Sequence, residues 1–250
     1  MSFWDEVNHG SGYAIDVLSG YELALVRTLI RNQYLTAICD EEPDSLDAAV
    51  EAGLERYHER EFAFDHGTFW EKSRRVLPAL TVPSFESMGF FRRIRRTLPS
   101  AQIYADDLMW RIVRPSQPSD VGPVHADKWF WDAGNGVIDG DRERLKVWMA
   151  LYTEPGLNGL SVKPYSQKSD RWKRHFEFKH GTMKPVLDEN EADLDMQPLS
   201  LVSGELAIFH DGLLHGGVVN RASTCRVSLE LTVTYLAAEG ADRSRSRMAA

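Results

Sequence analysis

A chain of 250 residues and 28.4 kDa fits one large domain, and 43% hydrophobic with 26% charged residues excludes disorder, collagen and coiled coil. Twenty-nine basic against 37 acidic residues give a net charge of −8, the wrong sign for a general nucleic-acid binder. Two cysteines are too few for a disulfide framework, no apolar run reaches the roughly 18 residues of a membrane span, and the N-terminus lacks a secretory pattern, so a cytoplasmic protein is expected.

Residues 1–100 read as helical. Tyr21 to Ile38 is almost unbroken helix-forming sequence, with Leu25, Leu29 and residues 34–38 on a partly buried face. Ser45 fits an N-cap ahead of residues 46–60, where Leu46, Ala49, Val50, Gly53, Leu54 and Tyr57 recur at helical spacing. Phe69 to Leu77 reads as a third helix stopped by Pro78, and Ser84 as the cap of a fourth that ends at Pro99. Beyond Pro99 the texture changes to short β-rich runs at 108–114, 145–153, 159–165, 199–202, 205–210, 216–220 and 225–236, separated by Pro, Gly, Asn and Asp. Along the last of these, Val227, Leu229, Leu231 and Val233 alternate with Arg226, Ser228, Glu230 and Thr232. The expected class is α+β with a mainly β core. A helical layer over about 1–100 packs on a barrel or sandwich over about 101–240, in one domain, with a flexible tail at 241–250.

His125-Ala-Asp127 follows Gly122-Pro123, where an extended segment is expected to turn residues i and i+2 to one face. Two histidines and one carboxylate make the facial triad of non-haem Fe(II) oxygenases, which leaves three positions open. The pair alone is weak, since this composition yields about one His-x-Asp/Glu by chance. A second instance, His175-Phe-Glu177, lies in a basic and solvated stretch and reads as surface. Support for the first comes from the far end of the chain. His215 follows a strand and a turn, Gly216-Gly217 permits close backbone approach, and Arg226 begins the last strand eleven residues on, with Ser228 beside it. A forked guanidinium plus one further donor suits a carboxylate such as the distal one of 2-oxoglutarate. Taken singly, His125 and Asp127 fit a core pair, His215 a turn histidine, and Arg226 an ion pair with Glu230; four elements in this order favour a site. His210 is the rival to His215, but stands sixteen residues before Arg226.

His125-x-Asp127, His215-Gly, Asn220 and Arg226-x-Ser228 together resemble the phytanoyl-CoA dioxygenase family of Fe(II)- and 2-oxoglutarate-dependent oxygenases, over about residues 122–235. Residues 158–169, NGLSVKPYSQKS, are similar to a family loop, with Tyr165 in place of a Gly and Gln167 in place of a His. The resemblance implies a double-stranded β-helix (jelly roll, cupin-like) and a metal held by His125, Asp127 and His215. It further implies a 2-oxoglutarate distal carboxylate on Arg226 and Ser228, with Trp131 as an aromatic beside the cosubstrate. The implied reaction is hydroxylation of an unactivated C–H by dioxygen with release of succinate and CO2. Asp127 fills the position that an iron halogenase leaves to halide.

Two His and one carboxylate also make a hydrolytic zinc site, although no HExxH is present. A metal-free or zinc-binding β-sandwich that binds a small molecule is therefore the alternative. The substrate is the least legible part. Residues 161–180 carry six Lys/Arg against Asp170 and Glu177, interleaved with Tyr165, Trp172, Phe176 and Phe178. Such a run is either a solvated face or a lip that draws a small polar, anionic, sugar-like or natural-product molecule, with Lys163, Tyr165, Gln167, Lys168 and Arg171 as its members. Oligomeric state is left open.

Overall fold

The computed structural model describes residues 2–179 and 182–241, so the expected tail lies, beyond residue 241, outside the described residues. Helix α1 (Phe3–Asn8) leads through a turn into strand β1 (Tyr13–Val17). Ser19 and Glu22 then cap each other's backbone amides and start α2 (Gly20–Glu41), the longest helix. Its fully buried stripe is Val26, Ile30, Tyr34 and Ile38, with Leu25 and Leu29 on the flank.

The next expected helices are shorter than the sequence suggests. α3 (Leu46–Ala52) stops where Gly53 takes φ +65°, and the Ser45 hydroxyl bonds to Glu42 instead of capping the helix. In place of one helix at 69–77 there are two turns, α4 (His66–Phe69) and α5 (Lys72–Arg75), the first capped by Asp65. Ser84 lies inside α6 (Val82–Glu86), which Pro83 starts; a break at residues 87–88 then leads into α7 (Gly89–Thr97).

Nine further strands follow: β2 (Gln102–Val113), β3 (Arg142–Tyr152), β4 (Gly159–Val162), β5 (Arg174–Lys179), β6 (Thr182–Leu187), β7 (Gln197–Leu199), β8 (Glu205–His210), β9 (His215–Val218) and β10 (Arg226–Leu236). Between β2 and β3 lies α8 (Asp127–Asp132). An antiparallel sheet of order β1-β8-β3-β10-β2 faces a smaller one of order β7-β4-β9, and β5 and β6 form a separate ribbon. The arrangement is an α+β fold with a jelly-roll β core. Strand β1 and the β5–β6 ribbon have no counterpart among the expected runs.

The alternation along β10 sorts the interior. Val227, Leu229, Leu231 and Val233 are fully buried against the helical layer, in one cluster with Ile30, Phe90, Phe91 and Ile94. On the other side, Trp148, Ala150, Ala207 and Phe209 meet Leu160, Val162, Leu199 and Leu213 between the sheets. Arg226, Ser228, Glu230 and Thr232 project from β10 into that inter-sheet space, beside this second core. Opposite Glu230 and Thr232 the register of β2 jumps from Met109 to Tyr104, a bulge that re-aims the intervening residues.

Candidate metal and cosubstrate site

His125 and His215 meet as an isolated antiparallel bridge, each amide donating to the other's carbonyl at 2.9 Å. Directly opposed residues point to one face, so both imidazoles leave the backbone together. Each Nδ1 lies on a carbonyl two residues back, His125 on Pro123 O at 2.8 Å and His215 on Leu213 O at 2.9 Å. A carbonyl only accepts, so Nδ1 carries the proton and Nε2 keeps its lone pair. Burial, then the neighbouring His215, push His125 down to about 4, which keeps its ring neutral near pH 7.

Asp127 arrives differently from the expected extended pair. Ala126 is extended, but Asp127 is the first residue of α8, so a strand-to-helix junction brings the carboxylate round. Asp127 Oδ2 lies 3.4 Å from His215 Nε2, and Oδ1 lies 3.9 Å from His125 Nε2. The three side chains offer ligand atoms within 4.8 Å of one another. Oδ2 is buried without a hydrogen-bond partner, a costly state for a carboxylate oxygen that a bound cation would relieve. Two imidazoles and one carboxylate with an orphaned oxygen fit a divalent iron.

A charged network surrounds the triad. Lys146, only 3% exposed, bonds to Asp107 and to Thr232 Oγ1 at 3.0 Å, and stands 3.7 Å from Asp127 Oδ1. Burial would lower this ammonium, but Asp107, then Asp127 and Glu230, outweigh it and hold it above its ordinary value. Burial would likewise raise Glu230; Arg111, then Lys146, hold it well below the usual carboxylate range. Arg111 Nε donates to Glu230 at 2.8 Å, and Arg111 lies directly opposite Ser228 in the β2–β10 register. Sequence reasoning missed Lys146, Asp107 and Arg111. A lone lysine inside the apolar run LKVWMALYT was the available signal.

Arg226 is 2% exposed and does not pair with Glu230, whose carboxylate Arg111 engages. Its Nη1 donates to Gly159 O, its guanidinium lies 5.9 Å from the Trp148 ring centre, and its buried Nε has no partner. Burial, then Arg111, lower it to about 10, so it stays cationic. Gly217 makes room for it: a Cβ there would stand 2.7 Å from Val121 and 3.4 Å from Arg226 Nη1. Ser228 is buried on the same face.

The other expected residues divide. Trp131 packs edge-on against Tyr104 with centroids 5.2 Å apart, under Arg144. Tyr104 pairs with Thr232, six residues along β10 from Arg226, which is roughly 20 Å at strand rise. His210 accepts from Gly212 N and sits beside Asp211, outside the triad. Asn220 is structural, donating to Val113 O and Thr224 O. Of the basic lip, Lys163 ends on Leu194 O and Lys168 on His9 O, while Gln167 donates to Gly10 O at 3.3 Å. Tyr165 and Arg171 are exposed, the former in the left-handed region at φ +66°. His175 and Glu177 are on β5, where exposed His175 bonds to Asp188, away from the triad.

Residues 26–228 match the family described as phytanoyl-CoA dioxygenase (PhyH). The chain belongs to this family. It is a 2-oxoglutarate-dependent dioxygenase that uses Fe(II). Among curated proteins, none matches the sequence. Solved structures are similar in fold. EvdO2 from Micromonospora carbonacea var. aurantiaca, complexed with 2-oxoglutarate, is 15% identical, with TM-score 0.58 over 93% of this chain and 89% of that one. EctD from S. alaskensis, with 2-oxoglutarate and 5-hydroxyectoine, is 17% identical, with TM-score 0.53 over 92% and 73%. The carbocyclase SnoK from nogalamycin biosynthesis is 16% identical, with TM-score 0.50 over 93% and 82%. No helix among the described residues of this PhyH-family chain is long and apolar enough to cross a membrane.

Proposed function

We propose that this dioxygenase hydroxylates an unactivated C–H of a small polar molecule bearing an anionic group, of the sugar or natural-product kind. In this reading His125, Asp127 and His215 hold the iron, and Arg226 with Ser228 takes the distal carboxylate of 2-oxoglutarate. The bound metal with its cosubstrate supplies the oxidant that delivers one oxygen atom of dioxygen to the C–H bond. The protein's own part is positional. The two Nδ1–H donors lock the imidazoles, buried Arg226 fixes the cosubstrate's direction through its unused Nε–H, and the inter-sheet core excludes bulk water.

The observation that carries the substrate class is Arg111. Its side chain is 35% exposed, beside Glu230, and among the described residues only its Nε is hydrogen-bonded, which leaves the Nη donors for an incoming carboxylate or phosphate. Phe130, edge-on to His125 at 5.1 Å, supplies an apolar wall next to the metal site. The basic segment 161–180 then steers without gripping, since Lys163 and Lys168 already end on backbone carbonyls.

The test loads the protein with Fe(II) and the inert cosubstrate analogue N-oxalylglycine and screens polar metabolites by thermal shift. Carboxylated or phosphorylated members should stabilise wild type more than their neutral congeners, and Arg111→Gln should erase that difference while 2-oxoglutarate still binds. Equal shifts for charged and neutral compounds would sink the anionic substrate. Loss of 2-oxoglutarate binding in Arg111→Gln would reassign Arg111 to the cosubstrate.

A further inference from the structure

The β2 bulge has a consequence beside the metal site. It turns Asp107 towards Lys146 of β3, and Thr232 of β10 closes a triangle with both, donating to Asp107 Oδ2 and accepting from Lys146. Lysine has three N–H bonds in tetrahedral directions. Asp107 and Thr232 take two, and the third side of the ammonium faces Asp127 Oδ1 at 3.7 Å. Lys146 is almost wholly buried, so little water competes for that oxygen. The other carboxylate nearby, Glu230, is engaged by Arg111. The two oxygens of Asp127 therefore live in different surroundings: Oδ1 faces a fixed ammonium, and Oδ2 is orphaned beside His215 Nε2.

We infer that Lys146 is a positioning residue that holds Oδ1 of Asp127 away from the metal, so that the carboxylate gives Oδ2 alone and leaves the neighbouring positions to 2-oxoglutarate. A carboxylate can present one oxygen or both to a cation. If both turned inward, one of the three positions the facial triad keeps open would be taken, and a two-toothed cosubstrate would lose a site. The Asp107–Thr232 anchor matters because an unanchored ammonium on a four-carbon stem would not hold one carboxylate rotamer.

The experiment compares wild type with Lys146→Met, Lys146→Arg and Asp107→Asn under anaerobic conditions. Fe(II) affinity is titrated first; 2-oxoglutarate is then titrated into the Fe(II)-loaded protein and followed by its visible charge-transfer band. Lys146→Met should weaken 2-oxoglutarate binding about tenfold or more and shift or dim the band, with Fe(II) affinity retained. Lys146→Arg should restore much of the loss, and Asp107→Asn should show the same split between metal and cosubstrate in milder form. If Lys146→Met does not fold, Asp107→Asn carries the test by that same split. Unchanged 2-oxoglutarate binding in the folded variants overturns the proposal. So does parallel loss of metal and cosubstrate without rescue by arginine, which would mark Lys146 as structural. A wild-type protein without the band would remove the iron–cosubstrate reading itself, and this proposal with it.

Discussion

Buried Arg226 Nε has nothing to donate to, while Nη1 is anchored on Gly159 O. The anchor fixes the fork, and in the proposed reading the cosubstrate's distal carboxylate would take the remaining donor. Arg226→Lys keeps the charge but has one donor centre for two jobs, so it should raise the KM for 2-oxoglutarate about tenfold while lowering kcat much less. Steady-state kinetics in 2-oxoglutarate decide it, and an unchanged KM would make Arg226 a structural tie between β10 and Gly159. The metal ligands allow a sharper contrast. His215→Ala should abolish Fe(II) binding, whereas His210→Ala should leave it intact, because His210 is spent on Gly212 N and Asp211. Isothermal titration with Fe(II) under nitrogen would read both, and the opposite pattern would reverse the ligand assignment.

At the scale of elements, Gly217 shows how tightly β9 packs under Arg226. A Cβ there would meet Val121 at 2.7 Å and crowd the guanidinium at 3.4 Å. Gly217→Ala should cost about 1–3 kcal/mol of stability by overpacking, and should loosen 2-oxoglutarate as well. Denaturant melts with and without the cosubstrate separate the two effects; an alanine variant as stable as wild type would show that β9 can retreat. The same scale explains what the sequence reveals. α2 was legible because its run of helix formers is nearly unbroken, whereas the capping box that starts it was not read. Its buried stripe runs through Val26 and Ile30, one position on from the expected Leu25 and Leu29. The helix after Ser45 was overextended, since periodic apolar residues outvoted Gly53, whose left-handed φ ends it. The β5–β6 ribbon was missed because its charges read as solvated surface, although Phe176 and Phe178 alternate with His175 and Glu177 along β5. Site residues followed the same division. The candidates His125, Asp127, His215 and Arg226 could be read from their combined order and spacing, but Lys146, Asp107 and Arg111 take their meaning from partners 19 to 125 residues away.

For the whole molecule, acid sensitivity should come from buried neutral histidines. Burial is the main reason His66 falls to about 4, against the opposing pull of Asp120 at 3.5 Å. An unfolded His66 binds a proton near its ordinary 6.5, so between those values the unfolded chain holds more protons than the folded one. The stability His66 contributes is present above pH 6.5 and is lost as pH falls towards 4, amounting to about 2 kcal/mol between pH 7.5 and 5. Urea melts of wild type and His66→Gln across that range should converge at low pH; parallel curves would place the titration elsewhere.

The paired amides of His125 and His215 sit on segments ninety residues apart in the chain, yet each N–H donates to the other residue's carbonyl. A cation shared by their side chains would act as a clasp on that long loop, binding the closed form and not the open one. Those two N–H protons should then exchange with solvent slowly when iron is present and markedly faster after chelation, while amides of the β3–β10 ladder keep one rate throughout. Deuterium uptake at two backbone positions would thus report how full the metal site is, without any substrate and without turnover.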